Sequence, residues 1–158
     1  MILVTGATGF TGGHLARRLV RDGHRVRVLV RSAEKGAALA REGMEPVLGD
    51  LTDPASLRPA LAGVTTVYHI AAAFREEKLT EQQMWAINCE GVRHMLEAAI
   101  EAGTVQRFVH CSTIGVHGHV ESPPATEDAP LAPGDTYQAS KLAGEQVAAE
   151  YMRAGRLP

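Results

Sequence analysis

The chain has 158 residues, of which 45% are hydrophobic and 22% are charged, and its formal net charge is −2. This composition is typical of a single globular domain, residues 1–158, and it excludes a disordered chain. Acidic and basic residues are interspersed, so we expect neither nucleic acid nor an anionic membrane as a partner. No apolar stretch approaches the roughly 18 residues of a membrane span, and the apolar N-terminus is too short for a signal peptide. We therefore expect a cytoplasmic protein, in which Cys89 and Cys111, without metal-site spacing, are reduced thiols.

A glycine-rich segment, residues 5–13, directly follows the apolar run from Met1 to Val4. Glycines at Gly6, Gly9 and Gly12 allow the backbone to adopt positive φ and to approach a ligand closely. A helix beginning there presents unpaired N–H groups and the positive end of its dipole at the same place. The segment therefore predicts a binding site for the pyrophosphate of a dinucleotide.

Strand-like and helix-like segments alternate along the rest of the chain. The glycines that separate them, each following a helical stretch as a C-cap does, are Gly23, Gly43, Gly63 and Gly103. The later predicted strands are residues 26–30, 46–48, 64–70 and 105–110, and the predicted helices include residues 15–21, 33–41, 55–61 and 81–102. This alternation predicts an α/β fold, a Rossmann-type doubly wound parallel sheet of order 3-2-1-4-5 with helices on both faces. Ligands are expected at the carboxyl ends of the strands.

A long surface loop and a final helix follow the fifth predicted strand. Residues 113–135 contain four prolines, and the helix predicted over residues 136–154 carries Tyr137 and Lys141. Their i to i+4 spacing places the phenol and the ammonium one turn apart on the same helix face. A nearby fixed cation favours the phenolate and lowers the pKa of tyrosine, so Tyr137 becomes usable for proton transfer near neutral pH.

Five short segments share a common interpretation. They are Thr5-Gly6-Ala7-Thr8-Gly9-Phe10-Thr11-Gly12, Gly49-Asp50-Leu51-Thr52-Asp53, Asn88-Cys89-Glu90-Gly91, Cys111-Ser112-Thr113-Ile114-Gly115-Val116-His117-Gly118 and Tyr137-Gln138-Ala139-Ser140-Lys141. In this order they resemble the extended branch of the short-chain dehydrogenase/reductase superfamily, which includes sugar-nucleotide epimerases, dehydratases and related reductases. The resemblance covers the whole chain. It implies an NAD(P)-dependent oxidoreductase or epimerase/dehydratase that transfers hydride between nicotinamide and a carbonyl or alcohol substrate, such as a nucleotide sugar.

The resemblance also implies three catalytic residues. Tyr137 would be the general acid/base, Lys141 would lower its pKa and bind the nicotinamide ribose, and Thr113 would hold the substrate oxygen. A hydroxyl both donates and accepts, so it serves either direction of hydride transfer. Ser112 is the alternative to Thr113, or else a hydroxyl that only bonds local backbone. Asn88 either braces its helix near the site or faces solvent.

The expected cofactor site lies where the strands end. Its residues are Gly6, Thr8, Gly9, Phe10, Thr11, Gly12, Arg31, Asp50, Leu51, Ala71, Ala72, Ser112, Tyr137 and Lys141. Asp50 suits the adenine amino group, whereas Asp53 is better explained as an N-cap. Small side chains at Ala71 and Ala72 would let a dinucleotide lie close to the backbone, although tight packing alone would also explain them. His69 is interpreted as a packed strand-end histidine outside the site.

Cofactor choice depends on the end of the second strand. An NAD-preferring chain offers a carboxylate there to the adenosine ribose hydroxyls. This chain has Arg31 instead, followed by Ser32 and Lys35, and a guanidinium binds phosphate through a forked pair of N–H groups. We therefore expect NADP to be preferred over NAD, the alternative being a solvated arginine without a role.

Family members continue past the catalytic helix, whereas this sequence stops at Pro158. We expect an N-terminal part that lacks the C-terminal strands and the substrate domain and is inactive alone. The alternative function is a non-catalytic dinucleotide-binding module or regulatory fragment. The resemblance further implies a homodimer through helices 81–102 and 136–154, and a small-molecule substrate whose identity the sequence leaves open.

Overall fold

Five parallel strands form the centre of the computed structural model, which describes residues 1–74, 79–121 and 123–157. The strands are β1 (Ile2–Thr5), β2 (Val26–Val30), β3 (Glu45–Leu48), β4 (Thr66–His69) and β5 (Arg107–His110). Their order in the sheet is β3-β2-β1-β4-β5, and each neighbouring pair is parallel. The predicted Rossmann-type sheet and its strand order are therefore confirmed.

Helices cover both faces of this sheet. They are α1 (Phe10–Arg21), α2 (Ala33–Arg41), α3 (Arg58–Leu61), α4 (Glu81–Trp85), α5 (Gly91–Ala102) and α6 (Thr136–Arg153). One apolar core lies between the sheet and α1 and α2, and the other lies between the sheet and α3, α5 and α6. Val4 faces the first core and Leu3 the second, because successive side chains of a strand point to opposite faces. Among the helices of the described residues, none has the length and apolar character needed to cross a membrane.

Helix boundaries follow the capping chemistry more closely than the hydrophobic pattern. α1 begins at Phe10 rather than at residue 15, and Gly9 is its N-cap. The predicted helix 55–61 consists of a 3-10 turn, Pro54–Leu57, followed by α3. Asp53 accepts a hydrogen bond from the Ala55 N–H at the start of that turn, which confirms its interpretation as an N-cap.

A π-helical turn, Ala86–Glu90, interrupts the predicted helix 81–102. This turn buries Asn88, whose side-chain oxygen accepts from the Ala73 N–H at 2.7 Å. The Asn88 amide donates to the Ala73 carbonyl at 2.9 Å and to the Ser140 hydroxyl at 3.0 Å. Such turns frequently occur at functional sites. Asn88 therefore braces the segment after β4 against α6, and the solvent-facing alternative is wrong.

α6 packs so closely on the π-helical turn that position 144 has no room for a side chain. A Cβ at Gly144 would collide with the Asn88 carbonyl oxygen and would lie 3.2 Å from Val92. Alanine stabilises a helix interior by about 1 kcal/mol relative to glycine. Overpacking costs more than this gain, so we expect Gly144→Ala to lower the free energy of unfolding by about 2 kcal/mol in denaturant titrations.

The matched control is Gly134→Ala, where the added methyl group would make only an ordinary contact at 3.5 Å with Gln138. Its free energy of unfolding should change little. A Gly144→Ala protein as stable as the wild type would show that α6 is not held at this distance.

Candidate functional site

The glycine-rich segment forms a tight turn between β1 and α1. Gly6 has a φ of +74°, and a Cβ there would lie 2.8 Å from the Ala71 nitrogen. A Cβ at Gly12 would overlap the Gly6 carbonyl group. Gly9, the N-cap of α1, has no side chain that could occupy the first N–H groups of the helix. The turn therefore presents bare backbone and a helix N-terminus, the arrangement that binds phosphate groups.

A cavity of about 730 Å³ extends from this turn to α6. The sequence-predicted residues that line it are Gly6, Thr8, Gly9, Phe10, Thr11, Gly12, Arg31, Asp50, Leu51, Ala71, Ala72, Ser112, Thr113, Tyr137 and Lys141. The cavity runs along the carboxyl ends of the strands, where ligands of such sheets bind. The structure thus brings all the predicted site residues together. It also adds Phe74, Leu79 and Ile87, apolar residues that sequence reasoning missed because no motif includes them.

Charged groups lie at the β2 end of the cavity. Arg31 is exposed there beside Lys35 and Asp50. One carboxylate oxygen of Asp50 accepts from the N–H and the hydroxyl of Thr52, at 2.8 and 2.7 Å. Burial raises the pKa of Asp50, but the hydrogen bonds from Thr52 and the charge of Arg31 outweigh it, so this pKa is lowered. Asp50 is therefore an ionised, anchored acceptor at neutral pH.

α6 presents Tyr137 and Lys141 at the other end of the cavity. The Lys141 side chain is only 2% exposed, and its ammonium donates to the Cys111 carbonyl at 2.5 Å. Burial lowers the pKa of Lys141, while Cys111 and Glu145 act in the opposite direction. The Phe74 ring meets the Tyr137 ring edge-on, with 4.9 Å between centroids. A buried cation one turn from a phenol is an arrangement that favours the phenolate.

Two hydroxyl groups follow β5 at this end of the cavity. Thr113 accepts from the Gly115 N–H at 3.2 Å, which begins a 3-10 turn, Ile114–His117, and its own hydroxyl proton can still donate. The Ser112 hydroxyl is buried and has no hydrogen-bond partner in the described parts of the chain. The local backbone bond that would have explained Ser112 structurally is therefore not seen there.

Two histidines lie directly behind this end of the site. His69 and His110 end β4 and β5 and stand opposite each other in the register, with 5.7 Å between ring centroids. The Nδ1 of His69 is 3.0 Å from the Thr5 hydroxyl. Burial and the charge of Lys141 lower the pKa of His110 to about 4. Burial, His110 and Lys141 hold the pKa of His69 well below its usual value, so both imidazoles are neutral at pH 7.

A second cavity, of about 600 Å³, adjoins the first at Ser112 and Thr113. Its other lining residues are Ile114, Val116, His117, Glu127, Asp128, Ala129, Leu131 and Glu145. Thr113 therefore lies between two cavities. A substrate oxygen held by Thr113 would have space on both sides. The second cavity was not predicted, because the only local signal for it is a long loop.

Known proteins match this chain over nearly its whole length. The model of the family described as "NAD dependent epimerase/dehydratase family" matches residues 2–158. Sterol demethylase protein B of Methylococcus capsulatus is 37% identical over 146 residues, which are 90% of this chain and 44% of that protein. UDP-glucose 4-epimerase of Streptomyces lividans is 35% identical over 146 residues, with 89% and 44% covered.

A solved structure shows the same fold. The crystal structure of a short-chain dehydrogenase/reductase superfamily protein from Agrobacterium tumefaciens, with bound NAD, has a TM-score of 0.88 and 36% identity to this chain. The match covers 99% of this chain and 46% of that one. The chain thus spans about half the length of the proteins that it matches.

Acid should destabilise the fold through the buried histidines. The pKa of His110 is about 4 in the folded chain and about 6.5 for a free imidazole. The unfolded chain therefore binds more protons below about pH 6.5, and the free energy of unfolding falls as the pH decreases toward 4. His110 alone should account for about 3 kcal/mol of that fall, measured by urea denaturation at each pH.

His110→Asn should remove this part of the pH dependence. His24→Asn, at an exposed position, is the control and should leave it intact. A wild-type stability that stays constant between pH 6.5 and pH 4 would contradict the burial of neutral imidazoles.

Proposed function

We propose that this chain, which belongs to the NAD dependent epimerase/dehydratase family, binds NADP and carries the groups with which the whole protein catalyses proton-coupled hydride transfer between a carbonyl or alcohol substrate and nicotinamide. One observation carries the proposal. A single cavity joins the phosphate-binding turn to Thr113, Tyr137 and Lys141. Cofactor-binding and proton-transferring groups therefore occupy opposite ends of one space.

The residues of the cavity fit a nicotinamide dinucleotide. The turn at Gly6 and Gly12 excludes any side chain, so phosphate groups can approach the backbone and the N-terminus of α1. The ionised Asp50 suits the adenine amino group. The small side chain of Ala71 would let a dinucleotide lie close to the backbone. A volume of about 730 Å³ suits a cofactor site. NAD bound to the Agrobacterium tumefaciens protein supports a dinucleotide in this place.

The preference for NADP rests on the residues after β2. Arg31 and Lys35 line the cavity and bring positive charge to the place where a 2′-phosphate would lie. A guanidinium binds such a phosphate through two parallel hydrogen bonds. Position 31 carries no carboxylate for the ribose hydroxyls of NAD. Selectivity would therefore come from charge and from hydrogen-bond geometry together.

The proton chemistry belongs to three side chains. When bound, the nicotinamide supplies or accepts the hydride. Thr113 holds the substrate oxygen by donating to a carbonyl or accepting from an alcohol. Tyr137 gives a proton to that oxygen or removes one, and the buried ammonium of Lys141 makes its phenolate accessible near neutral pH.

These groups suit an epimerase, a dehydratase or a reductase alike. The substrate class therefore stays a carbonyl or alcohol compound such as a nucleotide sugar. The chain spans about half the length of the relatives that it matches, and the activity of the whole protein is part of the same proposal. Assembly into a homodimer through α5 and α6 stays a prediction.

Arg31→Asp should reverse the cofactor preference. We expect the wild-type chain to bind NADPH at least about tenfold more tightly than NADH, because a charge-assisted bond to the 2′-phosphate is lost with NADH. The variant should bind NADH more tightly than NADPH, measured by calorimetric titration. Arg25→Asp makes the same charge change at the opposite end of β2 and should keep the wild-type ratio. Equal affinities for both cofactors in the wild type would contradict the preference.

Tyr137→Phe should separate binding from chemistry. In a catalytically active form of the protein, we expect the cofactor affinity to change little, because Lys141 still binds the nicotinamide ribose. We expect kcat to fall by about 100-fold or more, because general acid/base catalysis is removed. Tyr151→Phe is the control, because it removes a hydroxyl that bonds Glu97 at 2.9 Å and does not line the cavity. A Tyr137→Phe protein with unchanged kcat would exclude Tyr137 from the reaction.

Cofactor binding with no turnover of any carbonyl or alcohol substrate would favour a non-catalytic binding module.

A further inference from the structure

A cluster of unpartnered polar atoms lies behind Lys141. Four buried side-chain atoms have no hydrogen-bond partner among residues 1–74, 79–121 and 123–157: Nε2 of His69, Nδ1 and Nε2 of His110, and Oγ of Ser112. All four lie at the carboxyl ends of β4 and β5. A buried polar group without a partner costs about 1–3 kcal/mol. Their concentration at one place therefore indicates a binding site for a small polar molecule.

The two imidazoles share one face of the sheet. His69 and His110 are cross-strand neighbours whose rings stack at 5.7 Å with an angle of 24° between their planes. Ser112 follows two residues later, where the chain has left β5, and its hydroxyl oxygen is buried as well. His69 is 1% exposed, so its polar atoms have no access to bulk solvent.

The hydrogen bonds of Thr5 determine which nitrogen of His69 carries the proton. The Thr5 hydroxyl oxygen accepts from the N–H groups of Ile70 and Ala71, at 3.1 and 3.0 Å, which occupies both of its lone pairs. Its hydroxyl proton therefore donates to Nδ1 of His69, 3.0 Å away. In the neutral ring, the proton must then be on Nε2. His69 thus directs an N–H donor into the cluster.

The cluster offers acceptors as well as donors. The neutral His110 has one N–H group and one bare nitrogen, and the Ser112 hydroxyl both donates and accepts. An anion accepts hydrogen bonds but cannot donate to the bare nitrogen, and a cation would be repelled by Lys141. A water molecule can accept from the His69 N–H and donate to the bare nitrogen of His110 and to the Ser112 hydroxyl, and it keeps one lone pair for a further donor.

Such a water would accept a hydrogen bond from the neighbouring Lys141 ammonium. Its ammonium has three N–H donors, one of which bonds the Cys111 carbonyl at 2.5 Å. At 2% exposure, the others must find acceptors inside the protein or on a bound molecule. Cys111, whose carbonyl binds this ammonium, lies between His110 and Ser112 in the chain, and its N–H donates to the His69 carbonyl at 3.0 Å, so the ammonium lies beside the cluster.

We propose that His69, His110 and Ser112 bind an ordered water molecule that accepts a hydrogen bond from the Lys141 ammonium, which makes the two histidines positioning residues for Lys141. The titratable groups acting on Lys141 include Cys111, after the end of β5, and Glu145 on α6, and Tyr137 lies one helical turn away on α6. β1 contributes only Thr5, which does not titrate. The water site follows from the side chains alone, whereas its relevance to catalysis rests on the proposed function.

The water site is tested directly by NMR on the wild-type chain with ¹⁵N-labelled histidine. We expect His69 to be neutral with its proton on Nε2, and magnetisation transfer from water to that proton. A proton on Nδ1, or an Nε2–H without contact to water, would overturn the proposal. Chloride titration that moves the His69 and His110 signals would identify an anion at the site, which would also overturn it.

The effect on Lys141 is tested with His110→Phe, which fills the space but offers no nitrogen. Loss of a hydrogen-bond acceptor disfavours the ammonium, so the pKa of Lys141, read from its ¹³Cε shift, should fall by about one unit. Ser112→Ala, a smaller change, should lower it in the same direction and serves if His110→Phe does not fold. Val109→Ala, on the opposite face of β5, is the control and should leave this pKa unchanged. A folded His110→Phe or Ser112→Ala chain with the wild-type Lys141 pKa would overturn the positioning role.

NADPH titration of the same samples separates the two claims. Wild-type chain that fails to bind NADPH would contradict the proposed function while the NMR evidence for water stands. Wild-type chain that binds NADPH but shows no water at His69 would contradict only the present inference.

Discussion

The close contact of Gly6 with Ala71 and Gly12 is the constraint on which the rest of the site depends. At Gly6 the backbone of β1 turns toward α1 with a left-handed φ, and no side chain fits between it and the residue after β4. The Thr5 hydroxyl fastens the same two segments by accepting from the N–H groups of Ile70 and Ala71. The glycine-rich turn and the segment after β4 are therefore held directly against each other.

The parallel sheet and the packing of α6 determine where the other site residues lie relative to the glycine-rich turn. β2 carries Arg31 to one end of the cavity because parallel strands end at the same edge of a sheet. At the other end, Asn88 links Ala73 to Ser140 and so holds α6 against the segment after β4. The segment after β4 and α6 are thus joined through buried hydrogen bonds rather than through surface loops. This arrangement buries Lys141 and two neutral histidines. Because burial keeps the histidines neutral in the folded chain, we expect the free energy of unfolding to fall at acid pH.

Much of the fold follows from local signals in the sequence. The fold and its strand order were predicted from three signals: the glycine-rich turn, the glycine caps, and the alternation of strands and helices. These signals can be recognised in the sequence because turn chemistry and hydrophobic period are properties of short segments. The spacing of Tyr137 and Lys141 likewise placed both on one face of α6. The π-helical turn was not predicted, because it depends on the bonds of Asn88 to residues far away in the chain. The pairing of His69 with His110 was missed for the same reason, since only the register of β4 and β5 brings them together.

The central claim is that one dinucleotide lies along the cavity from Arg31 to Lys141. A crystal structure of this chain with NADP tests it most directly. We expect the diphosphate over Gly9 at the N-terminus of α1, the 2′-phosphate on the Arg31 guanidinium, and the nicotinamide ribose within hydrogen-bond distance of Tyr137 and Lys141. A dinucleotide bound in the reverse direction, or outside the cavity between β1 and α6, would contradict it.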